Sequence, residues 1–219
     1  MTTMKMAAGV KEHPQRSLRE SEDSSLQRRH QILDATVGVI GRLGIKKASV
    51  DDIASAAGLS KQGLYLHFSS KEELIAAAMR RYFEEGLRLV EDALQAPVRP
   101  LGERLVDALD AWFGRHLVHF NPATLELVQP QDVHPEVEAV KARVRALLAQ
   151  AIETAPELRQ SKNVCTPKEL ARTLFQFGLT WKEGHSSREA FRSTLETCVR
   201  ACLQLKWTHR RARGSEVTP

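Results

Sequence analysis

The feature that most constrains the fold is a pair of short helical patterns between Ser49 and Phe68. Ser49 is a good N-cap for the first pattern, and Gly58 ends it because glycine adopts the left-handed backbone conformation at little cost. Ser60 then caps a second pattern that begins at Lys61. Two short helices joined by a tight glycine-containing turn make a helix-turn-helix, whose second helix can lie in the major groove of DNA. The motif alone is only moderately specific, since many helical proteins contain such a corner.

The rest of the chain also carries apolar residues at helical spacing, and no stretch alternates between apolar and polar residues as a half-buried strand does. Glycine totals only 12 residues and aromatic residues 5%, which also favours helices. Residues 121–135 hold three prolines and are predicted to be a connector with room for one short helix. The sequence therefore predicts an all-α chain with helices at about residues 26–43, 50–57, 61–68, 70–96, 101–120, 135–154, 167–182 and 187–207.

Composition narrows the class of protein further. Hydrophobic residues make up 42% and charged residues 27% of the 219, which is ordinary for a soluble globular protein. No run approaches the roughly 18 apolar residues of a membrane span, and the first 25 residues lack the apolar core of a secretory signal. Three cysteines are too few for a disulfide framework and fit a reducing compartment. We therefore expect a cytoplasmic protein with no membrane partner.

The net charge of +5 is unevenly distributed. Residues 26–75, which contain the helix-turn-helix, carry a net charge of +2, and residues 206–219 carry the remaining +3. A basic segment is consistent with binding to nucleic acid without requiring it. The basic tail at residues 208–219 is expected to be flexible and solvated.

Residues 1–25 have scattered charge and no periodicity, and we predict a flexible arm there. Either this arm is a plain disordered leader, or it touches DNA through its four basic residues. Acidic residues balance those four, which are Lys5, Lys11, Arg16 and Arg19.

The stretch from Arg28 to Leu74 resembles the N-terminal domain of the TetR family of bacterial transcriptional regulators. The match runs without a gap over about a fifth of the chain. It departs from the family pattern at Gly38 and Gly41, inside the first helix, and at Ile40, where the family more often has a larger residue such as phenylalanine. The matching residues are Ile32-Leu33-Asp34-Ala35, Gly44, Ser49-Val50-Asp51-Asp52-Ile53-Ala54, Ala57-Gly58-Leu59-Ser60, Gly63-Leu64-Tyr65, His67-Phe68 and Ser70-Lys71-Glu72-Glu73-Leu74.

The resemblance implies a three-helix DNA-binding domain at residues 26–75, followed at residues 76–207 by a larger helical domain for effector binding and dimerisation. A symmetric dimer also follows from the motif itself, because one helix-turn-helix reads one half-site and operators contain two. We expect no catalytic site, since the chain has no phosphate-binding glycine loop, metalloprotease motif or nucleophile elbow.

Four residues at the start of the second helix are candidate DNA contacts by their chemistry. Ser60 caps the helix and leaves its first amides toward phosphate. Gln62 can make a bidentate contact with adenine, and Lys61 can reach guanine or phosphate. Gly63 has no side chain, so the helix can approach the duplex closely.

Further candidate residues contact phosphate. Tyr65, His67 and Lys71 resemble positions with that role in the family. A packed aromatic is the alternative for Tyr65, and a solvated or capping histidine is the alternative for His67. Leu64 and Phe68 are assigned to the core. Phosphate contacts add salt dependence without specifying sequence, and the first helix of the motif can add more of them through Lys46, Lys47 and Ser49.

The larger domain offers only weaker candidates. Six residues could line an apolar effector pocket, although residues of this kind are often plain core: Trp112, Phe113, His116, Phe120, Phe175 and Trp181. The last two predicted helices resemble the family's dimer-forming pair. Interface candidates there, each with intrachain core as the alternative, are Leu174, Gly178, Phe191, Leu195, Cys198 and Cys202.

Two pairs of side chains invite other interpretations. His116 and His119 have a spacing that can bind metal, but no third ligand is evident, so we predict no metal or cofactor. Cys198 and Cys202 share one helix face, where an intrahelical disulfide is geometrically awkward. Buried thiols are the default for this pair, and a redox switch is the alternative.

The sequence thus predicts a homodimeric regulator, most simply a repressor that occupies operator DNA and is released by a small apolar or amphipathic effector. Such a protein would be cytoplasmic and associated with the nucleoid when bound to DNA. The alternative is a DNA-binding protein that is controlled by a protein partner, or is nucleoid-associated, with no small-molecule inducer.

Overall fold

The computed structural model describes residues 14–96, 98–120, 135–158, 165–181 and 187–204. These residues contain helices and no strand, which confirms the all-α prediction. No described helix is long and apolar enough to cross a membrane. The helices are α1 (Pro14–Leu43), α2 (Val50–Ala56), α3 (Lys61–Tyr65), α4 (Lys71–Leu94), α5 (Leu101–Leu109), α6 (Arg115–His119), α7 (Pro135–Thr154), α8 (Pro167–Trp181) and α9 (Arg188–Gln204).

Helix α1 begins at Pro14, inside the segment predicted to be a flexible arm. The prediction is wrong for residues 14–25 because they carry no apolar stripe for a periodicity argument to detect. Six of these twelve residues are nevertheless arginine, glutamate, glutamine or leucine, which favour helix by intrinsic propensity. The early residues of the arm, the connector at residues 121–134 and the basic tail lie outside the described residues.

A first hydrophobic core holds α1 to α4 around the helix-turn-helix. Each of its helices contributes side chains that are fully or almost fully buried, and together they fix the two short helices on the longer ones. These include Ile32, Ile40, Ile53, Leu64, Phe68, Leu74 and Ala78. Because α2 and α3 are too short to be stable alone, this packing supplies most of their stability.

A second core is formed by α5, α7, α8, α9 and the distal half of α4. Helix α4 therefore belongs to both cores: Tyr82 packs in the first, and Val90 and Leu94 pack in the second. Its 24 residues extend for roughly 36 Å. This single rigid element links the helix-turn-helix to the larger helical region.

The segment predicted as one helix, residues 101–120, is interrupted by a π-helical turn at Asp110–Gly114. A Cβ atom at Gly114 would overlap the carboxylate of Asp110, so the turn requires glycine there. Sequence periodicity does not reveal such a turn because it shifts the helical pattern by only about one residue.

The end of α6 rests directly on α1. A Cβ atom added at Gly41 would overlap the backbone carbonyl of His119. The glycine that departs from the family pattern thus allows two backbones from different parts of the chain to meet.

Candidate nucleic-acid interface

The two helices of the motif are capped and joined as the sequence predicts. The backbone N–H of Asp52 donates to the Ser49 hydroxyl (3.1 Å), and the Ser49 N–H donates to the Asp52 carboxylate (3.0 Å). The Ser49 hydroxyl also donates to the Asp52 carboxylate (2.5 Å), and this bond, together with the one from the Ser49 N–H, lowers the pKa of Asp52. Gly58 has a φ of +64°, a conformation that favours glycine, and the Leu59 N–H donates to the Ala54 carbonyl (2.8 Å). The turn therefore fixes the direction in which α3 leaves α2.

Helix α3 is anchored on one side and exposed on the other. The Ser60 hydroxyl accepts a hydrogen bond from the Gly63 N–H (3.0 Å), and Leu64 is completely buried. Lys61 and Gln62 are exposed. The helix ends at Tyr65 rather than near Phe68 as predicted, a difference that is common at helix ends.

Lys61 is held by an ion pair that sequence analysis missed. Its Nζ lies 3.1 Å from the Asp51 carboxylate on α2, and both side chains are mostly exposed. Exposed pairs of this kind contribute little to stability, so a DNA phosphate or base can replace the carboxylate. The ten-residue separation follows no helical spacing rule, which is why the sequence gave no signal of it.

The candidate phosphate contacts Tyr65, His67 and Lys71 lie around the end of α3 and the start of α4. Tyr65 is 44% exposed, which argues against the packed-aromatic alternative. His67 and Lys71 are half-buried. Ser70 caps α4 by accepting from the Glu73 N–H (3.0 Å), so Lys71 occupies the first position of that helix.

The remaining candidates precede or begin α2. Lys46 and Lys47 are exposed in the loop after α1, and Ser49 is half-buried because its hydroxyl serves as the cap. The structure thus brings the basic candidates to the starts of α2, α3 and α4.

Arg29 on α1 is a further residue of the site that sequence analysis missed. Its guanidinium donates to the His67 carbonyl (2.8 Å) and lies 4.1 Å from the centre of the Phe68 ring. This contact ties α1 to the end of α3 and orients the backbone between Tyr65 and Lys71. The available signal was the basic run Arg28-Arg29-His30 just before the first apolar residue of the core.

The candidate effector residues that the structure describes are divided between the two cores. Phe113 and Phe175 pack edge to face at 5.0 Å in the second core, whereas Phe120 packs against Tyr82 at 5.4 Å in the first. Trp112 is also buried in the second core. The side chain of Trp181 lies outside the described residues. The π turn divides this set, because it changes which side of the helix successive residues occupy.

The two candidate histidines lie at the junction between the cores. His116 Nδ1 is hydrogen-bonded to the Tyr82 hydroxyl (2.8 Å), and burial raises the pKa of Tyr82. Burial, together with the nearby charge of Arg115, lowers the pKa of His119. Arg115 also donates to the Tyr82 carbonyl (3.1 Å) and stacks on its ring at 4.4 Å.

Most of the interface candidates on α8 and α9 lie inside the protomer. Leu174, Phe191, Leu195 and Cys198 are buried in the second core, and Gly178 provides the space that the Phe113 ring occupies. Such side chains have almost no exposed surface within the protomer, which favours the intrachain alternative, and their place in a dimer interface stays a prediction. The apolar faces of α8 and α9 point inward, and the exposed side of α9 carries small and polar residues, among them Ala190, Ser193, Thr197 and Ala201.

Cys202 is half-buried beside Cys198, and both thiols are free. A hydrogen bond from Cys198 lowers the pKa of Cys202 to about 7, while the same bond and burial raise the pKa of Cys198. Cys165 is exposed.

A group of ion pairs joins the π turn to α9. Asp110, only 5% exposed, accepts hydrogen bonds from Arg188 (2.9 Å) and Arg192 (3.3 Å). Asp107 pairs with Arg192 (2.6 Å) and with Arg99. Burial acts to raise the pKa of Asp107, but the hydrogen bonds from Arg192 and Arg99 lower it. This network borders an open groove of about 500 Å³ between α5 and α9, lined by Pro100, Gly102, Val106, Val199 and Leu203 together with charged residues.

Comparison with known proteins agrees with this geometry. Residues 32–78 match the family model described as bacterial regulatory proteins, tetR family. Over 87 residues the chain is 39% identical to the transcriptional activator FasR of Mycolicibacterium smegmatis, a match to 40% of this chain and 39% of FasR. It is 33% identical over 86 residues to the nicotine-responsive repressor HdnoR of Paenarthrobacter nicotinovorans, a match to 38% of this chain and 44% of HdnoR. The chain thus matches about two fifths of the length of these relatives.

Solved structures extend the likeness to the whole fold. A TetR-like regulator from Rhodococcus sp. RHA1 is 27% identical with a TM-score of 0.56 over 80% of this chain and 95% of its own. The reduced form of NemR from E. coli has a TM-score of 0.64 at 18% identity, and the match covers 80% of this chain and 95% of the NemR chain. TetR-family regulators are DNA-binding proteins rather than enzymes. The capped helix-turn-helix and the family match show that residues 32–78 are similar to the DNA-binding domain of the bacterial regulatory proteins of the tetR family, and the solved structures share the helical architecture over 80% of this chain.

Proposed function

We propose that the chain regulates transcription by binding operator DNA as a homodimer, with α3 of each protomer in the major groove. The observation that carries this proposal is the arrangement of α3, where Gln62 and Lys61 are exposed while Leu64 on the opposite side is completely buried. A short helix held in this way presents its polar residues at fixed positions. Major-groove recognition requires such preorganised donors and acceptors.

In this proposal the candidate residues divide into two groups. Gln62 contacts a base, and Lys61 exchanges Asp51 for guanine or phosphate. Phosphate contacts come from Tyr65, His67 and Lys71, with Lys46, Lys47 and Ser49 at the start of α2, and Gly63 allows close approach. Base contacts determine sequence preference, whereas phosphate contacts fix the register of the protein on the duplex.

The dimer forms in this proposal through the exposed faces of α8 and α9. Small residues on α9, including Ala190, Ser193 and Thr197, allow a second copy of the helix to approach closely. Two-fold symmetry then places two α3 helices on half-sites about one turn of DNA apart.

Release by a small apolar or amphipathic effector completes the proposal. Phe113 and Phe175 are in contact, so an effector that enters here must separate their rings and move α8 relative to the π turn. Such a ligand changes DNA affinity only if it binds the two conformations differently. The name of HdnoR describes a nicotine-responsive repressor and that of FasR an activator, so the sign of regulation needs its own test. The protein would act in the bacterial cytoplasm, at the nucleoid when bound to DNA.

The first test separates base from phosphate contacts. A binding sequence is selected from random duplexes, and fluorescence anisotropy then gives Kd over a range of salt concentrations. We expect Gln62→Ala to reduce discrimination between selected and scrambled duplexes by about 10-fold or more. Lys71→Ala should weaken binding to both duplexes and lower the slope of log Kd against log salt by about 2 for a dimer, one phosphate contact per protomer.

The matched control is Arg143→Ala, which removes an exposed basic side chain from α7, a helix with no proposed DNA or dimer contact. It should leave both the affinity and the salt slope unchanged. Selection of no sequence at all would refute the proposed function, and an unchanged slope in Lys71→Ala would refute the phosphate assignment.

A second test addresses the effector and the sign of regulation. A thermal-shift screen of small apolar compounds should yield ligands that raise Tm in the wild type, with a smaller rise in Phe175→Ala. A promoter–reporter fusion carrying the selected sequence should give lower expression when the protein is present. Higher expression would make the protein an activator. A screen without any ligand, combined with a tightly bound protein partner, would favour the alternative mode of control.

A further inference from the structure

The recognition helix α3 is followed by an exposed leucine that the proposed contacts do not use. Leu66 is 86% exposed, and Tyr65 beside it is 44% exposed. Single apolar side chains are common on protein surfaces and need no explanation in themselves. Leu66 is informative because it lies next to the proposed DNA contacts of α3.

Leu66 continues the exposed face of α3 that begins at Gln62. The Leu66 N–H donates to the Gln62 carbonyl (3.2 Å), so the helical turn extends through Leu66 although the helix formally ends at Tyr65. Residues four apart in such a turn are neighbours on one face. Leu64 and Phe68, each two positions away, are buried in the core. Leu66 is therefore directed away from the core, on the side of Gln62.

An exposed amide and an exposed isobutyl group one turn apart match two kinds of group in the major groove. The amide of glutamine can pair with adenine N6 and N7, whereas the 5-methyl group of thymine is recognised by apolar contact. The apolar surface at Leu66 amounts to one or two side chains, which is far too small for a protein partner. It is of the right size to cover a methyl group.

We propose that Leu66 is a specificity-determining residue that contacts the 5-methyl group of a thymine, one helical turn along α3 from the base that Gln62 contacts. This inference rests on the proposed function. It adds a preference for one thymine in each half-site, and that preference comes from removing apolar surface from water rather than from a hydrogen bond.

The test uses the full-length protein and the duplex selected above. Each thymidine of the half-site is replaced in turn by deoxyuridine, which keeps the hydrogen-bonding edge and lacks only the methyl group. For the wild type we expect one position in each half-site at which the replacement weakens binding, by about fourfold, the factor expected from one buried methyl group. In Leu66→Ala that penalty should fall to less than about twofold at the same position.

The matched control is Val118→Ala, which shortens another exposed apolar side chain (62% exposed) on α6. It should retain the full deoxyuridine penalty. Because Leu66 is exposed, its variant should melt at the wild-type temperature, which a thermal denaturation curve verifies.

The outcomes distinguish this inference from the function on which it rests. If no duplex is selected, the proposed function fails and the inference falls with it. If a duplex is selected but every deoxyuridine is tolerated, or Leu66→Ala keeps the full penalty, only the thymine contact is overturned. A uniform loss of affinity in Leu66→Ala, without any change in the deoxyuridine pattern, would also overturn it, because it would indicate contact with the DNA backbone.

Discussion

Helix α4 joins two regions, one around α2 and α3 and one formed by α5 to α9, and the polar groups of these regions are held in position differently. Around α2 and α3 most candidate DNA contacts are exposed, and hydrogen bonds within three or four residues cap the helices, as between Ser60 and Gly63. In the region of α5 to α9 the network around Asp110 is partly buried and joins residues far apart in the chain, as between Asp110 and Arg188. The helix caps of the first region are thus specified locally, whereas the ion-pair network of the second depends on tertiary packing. Substitutions should therefore act differently in the two regions.

The largest effect should arise where the two regions meet. In Gly41→Ala the new Cβ overlaps the His119 carbonyl, so α1 and α6 must separate. We expect a loss of about 3 kcal/mol in the free energy of unfolding, at the upper end for an overpacked contact. Urea denaturation measures this loss.

Gly38→Ala is the matched control, because its Cβ would meet only ordinary contact with the end of the Arg42 side chain, at 3.7 Å, in the same helix. It should be neutral or stabilise the protein by up to about 1 kcal/mol, through the higher helix propensity of alanine. Equal losses in the two variants would show that the junction does not depend on the glycine at residue 41.

The free energy of unfolding should fall by a smaller amount when the ion-pair network of the second region is broken. Asp110→Asn leaves Arg188 and Arg192 without their buried counter-charge. We expect a loss of about 2 kcal/mol, below the range for fully buried pairs because both arginines are partly exposed. Arg143→Ala, at an exposed position on α7, should change the urea midpoint hardly at all. If Asp110→Asn is as stable as the wild type, the network does not hold α9 in place.

In the region of α2 and α3 an ion pair should limit the proposed DNA binding rather than stability. Asp51→Asn releases Lys61 and removes a negative charge from the surface proposed to face phosphate. We expect DNA affinity to rise by about threefold at low salt, with the gain disappearing at high salt and Tm unchanged. Anisotropy titrations at two salt concentrations provide the measurement, with Asp92→Asn on the distal half of α4 as the control. Weaker binding would mean that Asp51 positions Lys61 for its contact.

The smallest effect should be a pH dependence at the junction. Burial and Arg115 lower the pKa of His119 below its ordinary value of 6.5, so the folded protein binds this proton less readily than the unfolded chain. The stability that His119 contributes is therefore present above pH 6.5 and is lost as the pH falls through the lower pKa of the folded state. His119→Gln should reduce the drop in urea midpoint between pH 7 and pH 5. An identical drop in both proteins would assign the dependence to other groups.

The difference between local hydrogen bonds and contacts between distant residues also explains what the sequence could predict. Ser49, Gly58 and Ser60 act on residues only a few positions away, so their spacing was enough to predict both caps and the turn of the motif. The exposed candidates on α3 followed from the same local pattern. The pairing of Lys61 with Asp51 and of Arg29 with His67 could not be predicted, because those contacts depend on how α1, α2 and α3 pack.

In the larger region the helices lie close to their predicted positions apart from the π turn, whereas the roles of their side chains stay predictions. Apolar spacing showed that Phe113, Leu174 and Phe191 lie on inward faces, and it could not show which partner each face meets. Whether an inward face packs within one protomer or against a second is decided by contacts between residues far apart in the chain. The sequence of α8 and α9 fits both arrangements.

The π turn at Asp110–Gly114 has a consequence for the orientation of all that follows it. A π turn accommodates about one more residue than an α-helical turn, and each residue of an α-helix rotates the chain by about 100°. Loss of a single residue such as Ala111 from inside the turn would therefore convert it into an ordinary α-helical turn, and α6 would keep its orientation toward Tyr82. The same deletion within α5 or α6 would turn the residues that follow by about 100° and carry Phe120 away from Tyr82, so the π turn is a place where the chain can lose a residue without changing the helical phase that aligns the two halves of the molecule.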